Sequence, residues 1–325
     1  MFSVRTDLAV EARELYTKDS GREVPGVKVD VDNEEDGINI TTVKVENNEG
    51  SKIMGKEIGT YITIDAPGIK HYDADFHDSL SKSLAKQLVK VIDIDNDQTT
   101  LVVGLGNWNV TPDSLGPKVI SKLMITRHLK KYIPDQIEEG INPVCAVSPG
   151  VLGLTGIETA EIIQGIAAKI KPDIVIVIDA LASRKMERVA TTIQIGDTGI
   201  NPGSGVGNKR MGLTKESLGV PVIAIGVPTV VDAATMANDT IDFMIDSLLE
   251  QSRDNEGFYN MLKNVNKDEK YVMIKEVLSP YVGNLIVTPK EIDSLIEDIS
   301  KIIANGINVA LHSSIELKDI NRYIH

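Results

Sequence analysis

The chain has 325 residues, of which 42% are hydrophobic, 25% charged and only 4% aromatic; this apolar share is ample for a core and excludes a disordered polymer. With 34 Lys and Arg against 47 Asp and Glu, the net charge is −13, which repels phosphate backbones and argues against nucleic acid as the main partner. A single cysteine, Cys145, excludes a disulfide framework and a cysteine-rich metal site.

In chain order, the first seventy residues read as strands and hairpins. Ile38–Val45 and Tyr61–Ile64 are β-rich and partly alternating, split by the polar turn Asn47-Asn48-Glu49-Gly50. Phe76, Leu80, Leu84, Leu88 and Val91 then recur at helical spacing and predict an amphipathic helix. From residue 99 short apolar runs alternate with helical patterns. Leu101-Val102-Val103 precedes a loop and a helix that shows Val119, Ile120, Leu123 and Met124 on one face. Val144–Val147 precedes a Gly-rich loop and a helix over about Ile157–Ile170. Ile174–Ile178 is nearly all β-branched, as in a strand covered on both faces. Val222–Ile225 repeats the pattern and a helix follows from about Asp232. Gln251–Lys270 is polar and reads as an exposed helix-and-loop connection. Leu285-Ile286-Val287 and a helix from about Pro289, with Thr288 as its N-cap, close the chain.

This alternation predicts an α/β fold, a central and mostly parallel sheet between helical layers, in one compact domain. The longest uncharged apolar run, Leu218–Val231, has 14 residues and contains Pro221 and Pro228, too short and too broken to span a bilayer. Met1–Val10 carries neither the basic nor the apolar region of a signal peptide, so no membrane and a cytoplasmic location are expected.

In parallel sheets, chemistry collects beyond the carboxyl ends of strands. Gly104-Leu105-Gly106 opens a tight turn that delivers Asp113 just ahead of a helix containing Pro117. The dinucleotide fingerprint fails there, because it needs glycine at Asn109. Asp113 reads either as an N-cap or as a group presented to a site. Asp179, directly after Ile174–Ile178, reads either as a core-edge carboxylate bonded to loop backbone or as a second site group. The loop Gly196–Gly207 is rich in Gly, Asn, Asp and Ser; it lacks a Walker lysine, since Asn208 stands in that place, and reads as a flexible segment facing substrate. There is no G-x-S-x-G elbow and no H-E-x-x-H pair; His128 reads as a surface residue and Cys145 as core filler. Acidic residues are what the loops offer.

Ser3–Ala12, the Gly-Leu-Gly-Asn and Thr-Pro-Asp-Ser-Leu-Gly-Pro segments around Asp113, Ser148–Val151 through Thr155–Thr159, Ile178–Ala182, Pro202–Arg210, Gly226–Asp232 and Val287–Glu291 form long blocks along the chain. Together they resemble the germination proteases of endospore-forming bacteria. The resemblance implies a three-layer α/β/α fold similar to that of hydrogenase maturation endopeptidases, a homotetramer, and an inactive zymogen made in the developing spore core. It implies an endopeptidase that begins the degradation of small acid-soluble spore proteins, with Asp113 and Asp179 as catalytic carboxylates and no cofactor. The alternative uses the same two residues as ligands of a divalent metal. Family substrates are cut after an acidic residue, before an apolar one followed by alanine. Asp7-Leu8-Ala9 fits, so residues 1–7 are expected to leave as a propeptide by self-cleavage between Asp7 and Leu8, with 8–325 as the peptidase domain. Glu158, Asp232 and Lys209 also fall in matching blocks, without an assigned role.

Overall fold

The computed structural model describes residues 6–71, 73–92, 97–201, 211–252, 256–264, 269–270, 272–274, 276–277 and 285–320. The strands are β1 (Val27–Asn33), β2 (Asn39–Val45), β3 (Gly59–Asp65), β4 (Thr100–Gly104), β5 (Val144–Val147), β6 (Ile174–Ser183), β7 (Thr192–Gly196), β8 (Val222–Asp232) and β9 (Ile286–Val287). They form one sheet in the order β1-β2-β3-β7-β8-β6-β4-β5, with β9 paired to β8. The block β5-β4-β6-β8 is parallel, and it is the part the sequence marks by alternating strands and helices. The remaining pairings are antiparallel, built mainly from the N-terminal hairpin strands and β7.

The helices are α1 (Ala9–Ser20), α2 (Asn48–Met54), α3 (Ala74–Val91), α4 (Leu115–Ile120), α5 (Arg127–Tyr132), α6 (Leu152–Thr155), α7 (Thr159–Ile170), α8 (Lys215–Leu218), α9 (Ala233–Gln251), α10 (Glu256–Lys263), α11 (Ile292–Leu311) and α12 (Leu317–Ile320). They make two layers. Strand residues such as Ile62, Ile176, Ile195 and Ile225 face α3, α4 and α11, whose Leu80, Leu84, Val119, Ile299 and Ile303 complete that core. Their neighbours in sequence point the other way. Val175 and Val177 meet Ile163 of α7, while Val43 and Tyr61 meet Ala9 and Tyr16 of α1. A three-layer α/β/α molecule results. Among the described residues no helix is long and apolar enough to cross a membrane.

Several local expectations change. Residues 9–20 are helical rather than extended, ended by Gly21 in the left-handed conformation. The polar turn at 47–50 is the start of α2, with the Asn47 side chain accepting from Gly50 N–H at 2.9 Å. α4 stops at Ile120 because the chain turns away, its Met124 N–H donating to the Asn308 side chain of α11 at 3.0 Å. Leu123 and Met124 are buried all the same. Thr288 does not cap α11, which begins at Ile292; its hydroxyl donates instead to the Thr229 carbonyl at 2.8 Å. Cys145 lies in β5, half-buried, and burial pushes its thiol above the ordinary value. His128 is exposed, as expected.

Candidate active site

β4 and β6 are adjacent and parallel, yet the chain leaves β4 towards β5 on one side and leaves β6 towards β7 and β8 on the other. Such a reversal opens a crevice beyond the carboxyl ends of the two strands. β4 stops at Gly104, paired with Ile178, whereas β6 continues to Ser183. Asp179 is therefore not in a loop, as its position after the apolar run suggested. It lies within β6, one residue past the end of its neighbour, and is only 8% exposed. Its Oδ1 accepts from Ala180 N–H at 2.9 Å.

The turn after β4 is shaped by glycines. Gly106 has φ of +113°, and a β-carbon there would lie 1.9 Å from the Asp113 carbonyl oxygen. A β-carbon on Gly104 or Gly116 would meet backbone of the same turn at 2.4 and 2.3 Å. This close stacking folds the loop onto itself, and Asn107 N–H donates to Asp113 Oδ2 at 2.9 Å. Asp113 ends a short 3-10 turn, Thr111–Asp113, and the residue at the cap position of α4 is Ser114. Asp113 and Asp179, from two different elements, line one cleft of about 750 Å³. A shallower depression of about 540 Å³ along α7 is lined mainly by Ile157, Ile162, Ile166 and Ile170 and contains neither aspartate.

Asp7 lines the same cleft. Its N–H donates to the Ala182 carbonyl at 3.0 Å and its Oδ2 accepts from Ala182 N–H at 2.9 Å, so residue 7 is fastened to the end of β6 beyond β4. The Asp7 carbonyl oxygen accepts from Lys56 Nζ at 2.6 Å and from Gln194 Nε2 at 3.3 Å. Gln194 Oε1 in turn accepts from Ala9 N–H at 2.7 Å. Leu8, between them, is fully buried against Leu181 and Val10, with Ile200 alongside. Burial pushes the Lys56 ammonium below the ordinary lysine value, against the opposing pull of the Asp7 and Glu11 carboxylates.

The start of α1 is anchored just as firmly. Glu11, 1% exposed, accepts from Arg184 N–H at 2.7 Å and Lys185 N–H at 3.2 Å, pairs with Arg188 at 3.4 Å, and takes the Thr6 hydroxyl as a further donor. Arg188 also grips Glu14 at 2.6 Å. Burial opposes ionisation of both Glu14 and Arg188. Their mutual bond outweighs it, holding the carboxyl below and the guanidinium above the ordinary values.

Of the residues without an assigned role, Asp232 is the N-cap of α9, accepting from Thr235 N–H at 2.9 Å, and Glu158 precedes α7 without a side-chain cap bond. The Gly-rich segment at 202–210, with Gly203, Ser204, Gly207 and Lys209, lies outside the described residues. Among the described residues no three His, Cys, Asp or Glu side chains gather as a metal cluster. Little in the local sequence singles out Lys56, which sits in a polar stretch, or Gln194, which sits in the short strand β7. The one available signal was Gln194 between two isoleucines, a polar side chain on the face opposite the core.

Comparison with known proteins bears on this arrangement. The germination protease family profile matches residues 6–258 and 246–324. A germination protease of Clostridium tetani is 60% identical over 323 residues, covering 99% of this chain and 100% of that one. One from Bacillus subtilis is 44% identical over 359 aligned residues, covering 100% of this chain and 97% of the relative. Among solved structures, a NiFe hydrogenase maturation protease from Thermococcus kodakarensis matches with 20% identity and a TM-score of 0.30, over 44% of this chain and 80% of that one. With its profile matched along almost the whole length and its relatives aligned end to end, the chain belongs to the germination protease family.

Proposed function

We propose that the chain is a self-processing endopeptidase of the developing spore core, which starts the breakdown of small acid-soluble spore proteins by cutting after an acidic residue and before an apolar one. The observation that carries this reading is that Asp113, Asp179 and Asp7 line a single cleft. Two carboxylates reach the cleft from separate elements, and Asp7, the acidic residue of the acidic-apolar-alanine pattern, lines it with them. As long as Asp7 stays attached it takes up the place of a substrate's acidic residue, which accounts for an inactive precursor. The homotetramer implied by family membership would cover apolar side chains now exposed on α9, Phe243 and Met244 among them.

Two carboxylates sharing a cleft can divide acid and base work. The ionised member takes a proton from water as the water oxygen bonds to the carbonyl carbon. The protonated member gives its proton to the leaving nitrogen as the C–N bond breaks. The products are a carboxyl on the acidic residue and a free amine on the apolar one. The pair acts as a unit, so neither aspartate is assigned a single role.

Intact-mass analysis of the purified full chain tests the reading. The expected product begins at Leu8, forms equally well with EDTA present, and fails to form in Asp113→Asn and Asp179→Asn. The processed wild type should then cut a small acid-soluble spore protein after acidic residues. Cleavage abolished by EDTA would make the two aspartates metal ligands. A new terminus anywhere but Leu8 would remove the assignment of the processing site.

A further inference from the structure

The hydrogen bonds around residue 7 describe more than an anchored segment. The carbonyl that would be attacked is the one that receives two side-chain donors, Lys56 Nζ at 2.6 Å and Gln194 Nε2 at 3.3 Å. The same Gln194 amide accepts the N–H of Ala9, two residues on, at 2.7 Å. One side chain thus holds the chain on both sides of the Asp7–Leu8 bond, leaving the bond itself between the two grips.

Strand register places this grip opposite an aspartate. Gln194 of β7 is paired with Gly226 of β8, and Gly226 is paired with Asp179 of β6. Residues directly across a sheet share a face, so Gln194 and Asp179 point to the same side, about 10 Å apart by two strand spacings. Between them Gly226 has no side chain. A β-carbon there would come within 2.3 Å of Leu181 Cδ1, so the glycine is what lets Leu181 lie in the gap and receive Leu8. The row reads clamp, floor, carboxylate.

We propose that Lys56 is a catalytic residue, the donor that holds the oxyanion formed on the Asp7 carbonyl, and that Gln194 is the clamp that fixes the peptide on either side of that bond. The proposal rests on the reading that Asp7–Leu8 is the bond the chain cuts. When water adds to the Asp7 carbonyl carbon, the C=O π electrons move to an oxygen already in contact with the Lys56 donor. When the intermediate collapses, those electrons re-form the carbonyl, the C–N bond breaks, and Leu8 nitrogen leaves with a proton from the protonated aspartate. A donor fixed at the oxygen before charge develops needs no reorganisation, and a half-buried site strengthens it. After residues 1–7 depart, the Lys56 ammonium and the Gln194 Nε2 donor no longer meet the Asp7 carbonyl and can receive that of a substrate, while Gln194 Oε1 keeps its bond to Ala9 N–H.

The test is the first-order rate of self-processing in the full chain, followed by intact mass. Lys56→Met is expected to slow it about 100- to 1,000-fold, the loss typical of one missing oxyanion donor, with Lys56→Arg recovering most of the rate. Unfolding midpoints serve as the control; if Lys56→Met does not fold, Lys56→Gln, which retains a neutral donor, carries the test with an expected loss of at least about tenfold. Processing at the wild-type rate in a folded Lys56→Met or Lys56→Gln chain overturns the role of Lys56. A wild type that never cuts at Asp7–Leu8 instead defeats the underlying reading.

Gln194 is tested in self-processing, with the full chain assembled by ligation so that an ester stands in place of the Leu8–Ala9 amide, which deletes the Ala9 N–H. The ester should lower the rate of cutting in the wild type and make no difference in Gln194→Ala, a non-additivity that mere structural damage would not produce. Equal penalties in both enzymes overturn the clamp.

Discussion

A β-carbon on Gly106 would lie 1.9 Å from the Asp113 carbonyl oxygen, at a backbone φ of +113° that side chains rarely adopt. Gly106→Ala must therefore distort the turn that carries Asp113. The expected result is a destabilisation of about 1–3 kcal/mol, the usual cost of a strained backbone position, together with a steep fall in self-processing. Gly153 in α6 is the matched control, since a β-carbon there meets nothing within 4 Å; Gly153→Ala should stay within about 0.5 kcal/mol and process normally. Urea midpoints and intact mass read both effects. At this scale the sequence was legible where a residue had an odd neighbourhood: Asp113 after a Gly-rich turn, Asp179 after five β-branched residues. Lys56 and Gln194 have ordinary neighbours. Their meaning comes from a register that runs across three strands and from a segment 49 or 187 positions away.

Single elements are legible where the hydrophobic period is strong, as in α3 and α7, and less so where a polar group interrupts it or where, as in β8 with Pro228, the strand runs on well past the apolar run Val222–Ile225. The sequence ends β6 at Ile178, where a carboxylate follows; β8 runs beside it as far as Val231, and backbone pairing carries the strand through Asp179 to Ser183. α1 was missed because its apolar positions are few and its stability comes from Glu11, Glu14 and their cationic partners. The end of α11 shows a contact of another kind. His312 is fully buried, its Nδ1 accepting from Asn142 N–H at 3.1 Å, while Asn142 Nδ2 donates to the Leu311 carbonyl at 2.9 Å. Burial holds the imidazole down to about 4, against a weaker upward pull from the Met124 backbone. The unfolded chain protonates this group near 6.5 and the folded chain only near 4, so the unfolded state gains protons first as pH falls. Stability supplied by the neutral ring is full above 6.5 and drains away between 6.5 and about 4. Lowering the pH from 7 to 5.5 should remove about 1 kcal/mol through this residue, and His312→Asn, which keeps an acceptor, should lose that part of the slope in urea titrations.

For the molecule as a whole, the β–α alternation after residue 99 identified the parallel block, and the hairpin character of the first seventy residues foreshadowed the antiparallel half. What the sequence could not show was the join. β7 links the two halves by pairing β3 on one edge and β8 on the other, and this brings Gln194 and the α2–β3 connection with Lys56 over the carboxyl end of β6. Parallel strands alone would offer carboxylates in a crevice. The antiparallel half supplies the donors that meet the carbonyl.

The bond from Lys56 to the Asp7 carbonyl has a consequence for the proposed cut between Asp7 and Leu8. Hydrolysis there would turn that neutral oxygen into one end of a terminal carboxylate, and the contact at 2.6 Å would become an ion pair inside a cleft. The severed fragment would then bind through a charge the intact chain does not have there. A synthetic peptide of residues 1–7 ending in a free carboxylate should inhibit the processed enzyme at least about tenfold more strongly than its C-terminal amide, and added salt should narrow the gap. The same seven residues would thus restrain the enzyme twice, first as uncut chain and then as a departing anion.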